Sequence, residues 1–434
     1  MTPELFGFLG IVYLFALMVL RTPVALAMLI TGFGGMYLLE GPRAAGAVML
    51  TEGFSAVSSY SLIVVPMFIL LGNVSSQAGF SRALYDAAFA WVGRFRGGLA
   101  SASVIGCAVF SAVSGSSVAT AVTLGRVALP EMRRLGYGPA LSTGAIAAGG
   151  TLGFLIPPST GFVQYAVLTE ESIGRLFVAG ILPGLLLTAL FLVTVWLVTL
   201  RDPAAGPRGE AVALAERFRI LGRAAPLLSI IVISIGGIYA GIFTPVEASG
   251  VGAGLVTLLA FVRRAITLEG FRRAVLETVK TSAMLYMVVI GANVLNPFLA
   301  VTHIPATLGE AMVGLHLGPY GTLALIILAY VVLGMFLDGL SMLVVTIPIV
   351  FPVVIQLGFD PIWFGVVAVI VIEMGMITPP VGLNVFVVKG IAEGVPMTTV
   401  FRGVFPFLIA MIVALVLIIA FPAIATLLPD TMFG

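Results

Sequence analysis

Apolar residues run along this chain in long blocks with short polar joints between them. Blocks near the ~20 residues that a helix needs to cross a bilayer predict spans at 4–20, 22–41, 60–78, 140–167, 174–200, 225–242, 245–262, 279–299, 361–389 and 401–427. Two pairs of shorter apolar segments lie between them, 99–113 with 116–130 and 319–335 with 339–355. A polar, glycine-containing tip splits each pair: Ser111-Ala-Val-Ser114-Gly115-Ser116-Ser117 and Gly334-Met-Phe-Leu-Asp338-Gly339-Leu-Ser341. Arms of roughly 15 residues are short for crossing, so each pair predicts a re-entrant helical hairpin. Segments 80–97 and 303–316 mix charge with apolar residues and predict interfacial amphipathic helices. Segment 201–223, rich in Arg, Pro and Gly, reads as a linker.

Two of the spans are broken. Gly153-Phe-Leu-Ile-Pro157-Pro158-Ser159 interrupts 140–167, and Gly375-Met-Ile-Thr378-Pro379-Pro380-Val381-Gly382 interrupts 361–389. A double proline removes two backbone donors and frees carbonyls that lipid cannot satisfy. Such backbone survives only buried in protein or lining a cavity. A pair of broken helices in matching positions of two halves points to the binding site of a secondary transporter.

The two breaks lie 222 residues apart, and a gap-free comparison at that offset finds more. Thr22, Pro23 and Val24 pair with Thr244, Pro245 and Val246, and Gly32 pairs with Gly254. Pro130, Leu135, Gly136 and Pro139 pair with Pro352, Leu357, Gly358 and Pro361. For 25 prolines, chance predicts about one Pro–Pro coincidence, so the chain reads as a duplication. The expected organisation is a first repeat over 1–200 (hairpin 99–130, broken helix 140–167), a cytoplasmic linker over 201–223, and a second repeat over 224–434 (hairpin 319–355, broken helix 361–389). Five crossings separate 60–78 from its equivalent 279–299, and an odd count inverts one repeat relative to the other. The fold class is therefore an all-α polytopic membrane protein with an inverted two-fold repeat.

Composition agrees with the pattern. The chain is 60% hydrophobic and 9% charged, far from soluble norms. Its formal charge of +2 is spread between spans and forms no nucleic-acid patch. One orientation gathers 19 of the 21 Lys and Arg on one face and leaves only Arg43 and Arg175 opposite. By the positive-inside rule that face is cytoplasmic, which puts both termini in the periplasm. The lone cysteine, Cys107, reads as packing, and two histidines with one cysteine cannot build an ordinary zinc site. No transition metal is expected.

The chemistry concentrates at the tips and breaks. Freed carbonyls carry partial negative charge and helix N-termini partial positive charge. Together they suit an oxygen cage for a hard monovalent cation beside a seat for a carboxylate. The first cluster comprises Ser114, Gly115, Ser116, Ser117, Gly153, Pro157 and Ser159; the second comprises Gly334, Asp338, Gly339, Ser341, Gly375, Thr378 and Pro379. Small residues packing helices and prolines merely kinking them would be the plain alternative; recurrence in both halves argues against it. Glu247, Asp338 and Glu373 are acidic within apolar segments, where ionisable groups are costly. Asp338, at a tip, suits direct cation binding. Glu247 and Glu373 suit either a substrate role or internal support, and Asn384 could cap freed backbone or touch solute.

The strings Ser114-Gly-Ser-Ser-Val-Ala-Thr-Ala, Gly153-Phe-Leu-Ile-Pro-Pro-Ser, Thr244-Pro-Val-Glu-Ala, Gly334-Met-Phe-Leu-Asp and Glu373-Met-Gly-Met-Ile-Thr-Pro-Pro-Val-Gly-Leu-Asn resemble the large membrane subunit of tripartite ATP-independent periplasmic (TRAP) transporters, the DctM family. The resemblance runs over essentially the whole chain. It implies import of an organic acid with Na+ by an elevator motion, with sodium sites at the two clusters. It also implies a location in the bacterial inner membrane and two partners: a small four-helix membrane subunit, expected as a separate chain, and a periplasmic substrate-binding protein. A stand-alone sodium–anion symporter of related hairpin fold is the alternative within transport. An intramembrane enzyme would need a nucleophile–base pair or metal ligands, and no His-Glu-x-x-His or similar pairing occurs. A passive channel would favour weak, easily vacated sites over cation cages.

Overall fold

A computed structural model describes residues 2–209, 212–314 and 316–432. Two residues of the 201–223 segment, one of 303–316 and the last two of the second half lie outside that set. Among the described residues all regular structure is helical. The first half contains α1 (Pro3–Val19), α2 (Val24–Glu40), α3 (Pro42–Ser58), a 3-10 turn (Tyr60–Ile63) running into α4 (Val64–Gln77), and α5 (Phe80–Val92). It continues with α6 (Gly98–Ser114), α7 (Ser117–Arg134), α8 (Pro139–Leu155), α9 (Thr160–Thr169) and α10 (Ile173–Arg201). After the linker come α11 (Leu214–Tyr239), α12 (Pro245–Val262), α13 (Leu268–Val301), α14 (Ile304–Gly314), α15 (Gly318–Gly334) and α16 (Gly339–Gln356). The chain closes with α17 (Pro361–Ile377), α18 (Leu383–Ile391), α19 (Met397–Ala420) and α20 (Ala423–Met432). Eight of these stretches, counting α8–α9 as one, are long and apolar enough to cross a membrane.

Local chemistry sets the starts. Thr2, Thr244 and Asp360 cap helices whose first residue is Pro3, Pro245 or Pro361. A hydroxyl or carboxylate satisfies an orphan N–H there, and proline at the first position lacks the donor that would otherwise go unpaired. The bounds of α7 and α16 differ by 222 at both ends, and so do those of α8 and α17.

Several expected boundaries move. Helix α3 was not expected, because Arg43, Glu52 and many small residues dilute its hydropathy below that of a span. The linker is shorter than 201–223, since α10 runs through Arg201 and α11 begins at Leu214. The second half accordingly begins its helices ahead of residue 224. The stretch 401–427 is two helices, α19 and α20, parted at Phe421–Pro422, where proline cannot continue the hydrogen-bond ladder. The span 279–299 is the C-terminal part of α13, whose basic first turns extend it back to Leu268.

Packing divides the helices into two groups. In one, α13 lies against α2, α3 and α4, and α12 against α4 and α11, with α1 beside α2; α5 lies between the groups, against both α6 and α11. In the other, α8 is held between α6, α7 and α19, while α17 packs on α15, α16, α19 and α10. Small residues allow the closest crossings: a Cβ on Gly403 would stand 1.9 Å from the Ala140 carbonyl oxygen, and one on Gly32 would stand 2.6 Å from that of Val294. Without a hydrophobic drive between helices in lipid, such backbone proximity is what holds them. The linker is strapped to the loops that precede α6 and α8: Gly97 N donates to Gly206 O (2.9 Å), Gly138 N to Ala205 O (2.9 Å) and Tyr137 Oη to Pro207 O (2.8 Å). Two residues on, Gly209 N donates to Gly93 O (3.0 Å) beyond the end of α5.

Candidate functional site

Each hairpin tip sits on the break of the helix that follows it. At the first, α6 ends in Gly115, whose φ of 60° is the left-handed conformation that glycine adopts freely. This turn aims the Gly115 carbonyl at the next break, where it accepts from Thr160 N (3.1 Å) and Thr160 Oγ1 (2.8 Å). Ser116 and Ser159 cap α7 and α9, accepting from Ala119 N (3.4 Å) and Phe162 N (3.3 Å). Ser159 Oγ also donates to Phe154 O (2.5 Å), one of the carbonyls released by Pro157-Pro158. A Cβ on Gly153 would stand 2.5 Å from Ser116 O and 2.9 Å from Ser117 N, so only glycine lets tip and break close on each other. Ser114 Oγ lies 2.6 Å from Thr120 Oγ1. Two helix N-termini and two C-termini thus meet within one junction, and all seven expected residues of the first cluster belong to it or to its immediate walls.

The second junction repeats the plan with different side chains. A Cβ on Gly375 would stand 2.6 Å from Gly334 Cα, a contact of backbone on backbone. Gly382 N donates to Met335 O (3.4 Å), and Thr378 Oγ1 donates to Met374 O (2.6 Å). Asp338 caps α16: one carboxylate oxygen accepts from Ser341 N (3.0 Å) and the other from Ser341 Oγ. Gly339 packs toward Ile372 and Met376 of α17 and Phe154 of the first break, so the two junctions adjoin.

They differ in exposure. Pro157, Pro158 and Ser159 are buried, and Val64, Val65, Phe68 and Ile69 of α4 close over the tip. Pro379, Pro380 and Val381 are exposed.

Glu373 connects the junctions. It is 1% exposed, its Oε1 accepts from Ser117 Oγ at the start of α7, and its Oε2 accepts from Asn384 Nδ2 (3.5 Å) on α18. Among the described residues no Lys or Arg pairs with it. Ser117 therefore faces the second half's acid rather than the centre of its own cluster. Glu247 lies elsewhere: exposed at the start of α12, it completes a capping box with Thr244, accepting from Thr244 N (2.8 Å) and Oγ1 (2.9 Å). That is helix support. Thr120 and Thr160 were missed in the sequence, although Thr160 directly follows Ser159. So was Gln164, a lone amide one turn into the half-helix after the first break.

Junctions of broken helices and hairpin tips inside a bundle of membrane-length helices define a polytopic transporter. The family model described as "Tripartite ATP-independent periplasmic transporter, DctM component" matches residues 11–424, and the chain belongs to that family. It is 38% identical over 379 residues to the C4-dicarboxylate TRAP transporter large permease protein DctM of Pseudomonas aeruginosa, covering 87% of this chain and 88% of that one. The protein of the same name from Rhodobacter capsulatus is 37% identical over 96% of this chain and 97% of its own. The isethionate TRAP transporter permease protein DctMQ of Oleidesulfovibrio alaskensis is 33% identical, covering 97% of this chain and 65% of its longer partner. In fold, the chain resembles the crystal structure of the Alcanivorax borkumensis YdaH transporter, with a TM-score of 0.64 over 91% of this chain and 89% of that one at 15% identity.

Proposed function

We propose that this TRAP large permease imports an organic acid together with Na+, with the two tip–break junctions as the coupling sites. The observation that carries the reading is the pair of junctions itself, one closed over by α4 and the other open. Hydroxyls of Ser114, Ser116 and Ser159, the carboxylate of Asp338, and carbonyls at both breaks are hard oxygen donors of the kind a small alkali cation takes. The converging N-termini of α7 and α9 supply partial positive charge for a carboxylate. The halves are inverted repeats, with both termini periplasmic and the linker cytoplasmic in the bacterial inner membrane. The group built on α6–α10 and α15–α20 moves as an elevator against the scaffold of α2, α4, α12 and α13.

An acid delivered by a periplasmic binding protein fits a chain with no soluble capture domain among its described residues, and the family relation supports a small membrane subunit as the second partner. C4-dicarboxylates head the candidate acids because three relatives carry that name. The test is uptake into proteoliposomes. The acid is chosen by thermal-shift screening of the cognate binding protein against dicarboxylates, sugar acids and amino-acid derivatives. Uptake should require the large permease, the small subunit, the loaded binding protein and an inward sodium gradient together. Robust sodium-driven uptake by this chain alone would replace the tripartite reading with a stand-alone symporter.

A further inference from the structure

The seam between α9 and the scaffold holds an amide with nothing to bind. Gln164 is 5% exposed, and neither its Nε2 nor its Oε1 has a hydrogen-bond partner. Leaving a buried amide unsatisfied is destabilising, and a leucine of similar size would avoid that cost. The amide borders a cavity of about 20 Å³, walled by Leu62 and Val65 on one side, Leu285, Tyr286 and Val289 of α13 on another, and Val163 of its own helix. Tyr286 has spent its hydroxyl on Leu62 O (3.1 Å) and offers no donor. Thr160, one turn earlier on the same face, has likewise spent its hydroxyl on Gly115. A second, smaller cavity shares Val65, Thr160 and Val163 with the first and is bounded by Ser114, Gly115, Pro158 and Ser159. The seam therefore starts at the first coupling junction and ends at Gln164.

We infer that Gln164 is a solute-recognising residue, its amide donating to a carboxylate oxygen of the transported acid when the seam between α9 and the α4–α13 wall opens. This rests on the transport reading above and deepens it. One wall of the seam belongs to each of the two helix groups, so their relative movement changes its width. In the conformation described here the cavity admits one water at most, too little for an organic acid, and the amide waits without a partner.

The inference separates from the transport reading by two measurements on the assembled transporter. In the first, Gln164→Leu and Gln164→Met are melted in detergent without solute. An amide kept for an absent ligand predicts a rise on the order of 2 °C for at least one of them. A fall in both means that water or a neighbour already satisfies Gln164, and overturns the inference without reference to transport. In the second, sodium-driven uptake of radiolabelled succinate by the same variants should need about tenfold more succinate for half-maximal rate, with the half-maximal sodium concentration unchanged. Unchanged succinate dependence overturns the inference while leaving sodium-coupled import standing. Sodium-independent wild-type uptake overturns the transport reading, and the melting result still judges Gln164.

Discussion

At the scale of single residues, two acids near the junctions do different work. Asp338 holds the first turn of α16 through Ser341 and stands at the tip where a cation ligand is proposed. Asparagine caps helices about as well as aspartate, so Asp338→Asn removes charge and spares the fold. Its melting temperature should stay near wild type while the sodium needed for half-maximal uptake rises on the order of tenfold. Unchanged sodium dependence would leave Asp338 a cap and nothing more. Glu373 instead ties α7 to α18 from within α17. Glu373→Ala strands Ser117 Oγ and Asn384 Nδ2 in the interior and opens a void, a loss of about 2–4 kcal/mol. Thermal unfolding in detergent reads this directly. Glu373→Gln, which keeps volume and one carbonyl acceptor, should lose less than half as much. A similar loss for both would place the acid's importance in its charge rather than in the bridge.

Among the elements, the glycines at the junctions decide whether a hairpin can sit on its broken helix. Gly375→Ala puts a methyl 2.6 Å from Gly334 Cα, and Gly153→Ala puts one 2.5 Å from Ser116 O. Neither neighbour is a flexible side chain that can yield, so each substitution should cost about 1–3 kcal/mol and force its tip off its break. A cysteine pair spanning tip and break should then cross-link more slowly than in an otherwise unaltered background. Gly254→Ala, with open space around it, is the control. Much of this geometry was legible beforehand, because Gly115, Pro157-Pro158, Gly334 and Pro379-Pro380 are residues whose backbone demands show in any sequence. The bounds of the four helices that flank the two tips, α6, α7, α15 and α16, fell within a few residues for the same reason. What stayed hidden depends on partners distant in the chain. Nothing local tells that Ser117 bonds an acid 256 residues away or that Gln164 faces Leu285 and Tyr286 of α13; the Thr244–Glu247 capping box, by contrast, is local and shows in the Thr-Pro-Val-Glu spacing. Helix α3 escaped because a helix rich in alanine and glycine and carrying Arg43 and Glu52 has no span-length apolar signal, and the α19–α20 division because Pro422 is a single break within a continuously apolar run.

For the whole molecule, inversion and coupling are the claims at stake. In intact cells Asp360→Cys should react with a membrane-impermeant maleimide from the periplasm and Arg208→Cys should not, with the buried native Cys107 silent. Labelling at 208 from outside would undo the crossing count on which the inverted arrangement depends. The elevator reading expects one helix group to slide past the other, with the linker as its hinge. On that reading the strap at Ala205–Pro207, bonded to the loops before α6 and α8, would travel with them. The most direct test of the account is sodium flux itself. Proteoliposomes holding this chain and its small subunit are supplied with loaded binding protein, and ²²Na+ entry is counted beside entry of the labelled acid. The account predicts sodium entry that begins only when loaded binding protein is added, keeps a fixed ratio to acid entry, and falls in that ratio for Asp338→Asn. Acid uptake at full rate with no accompanying sodium would contradict it.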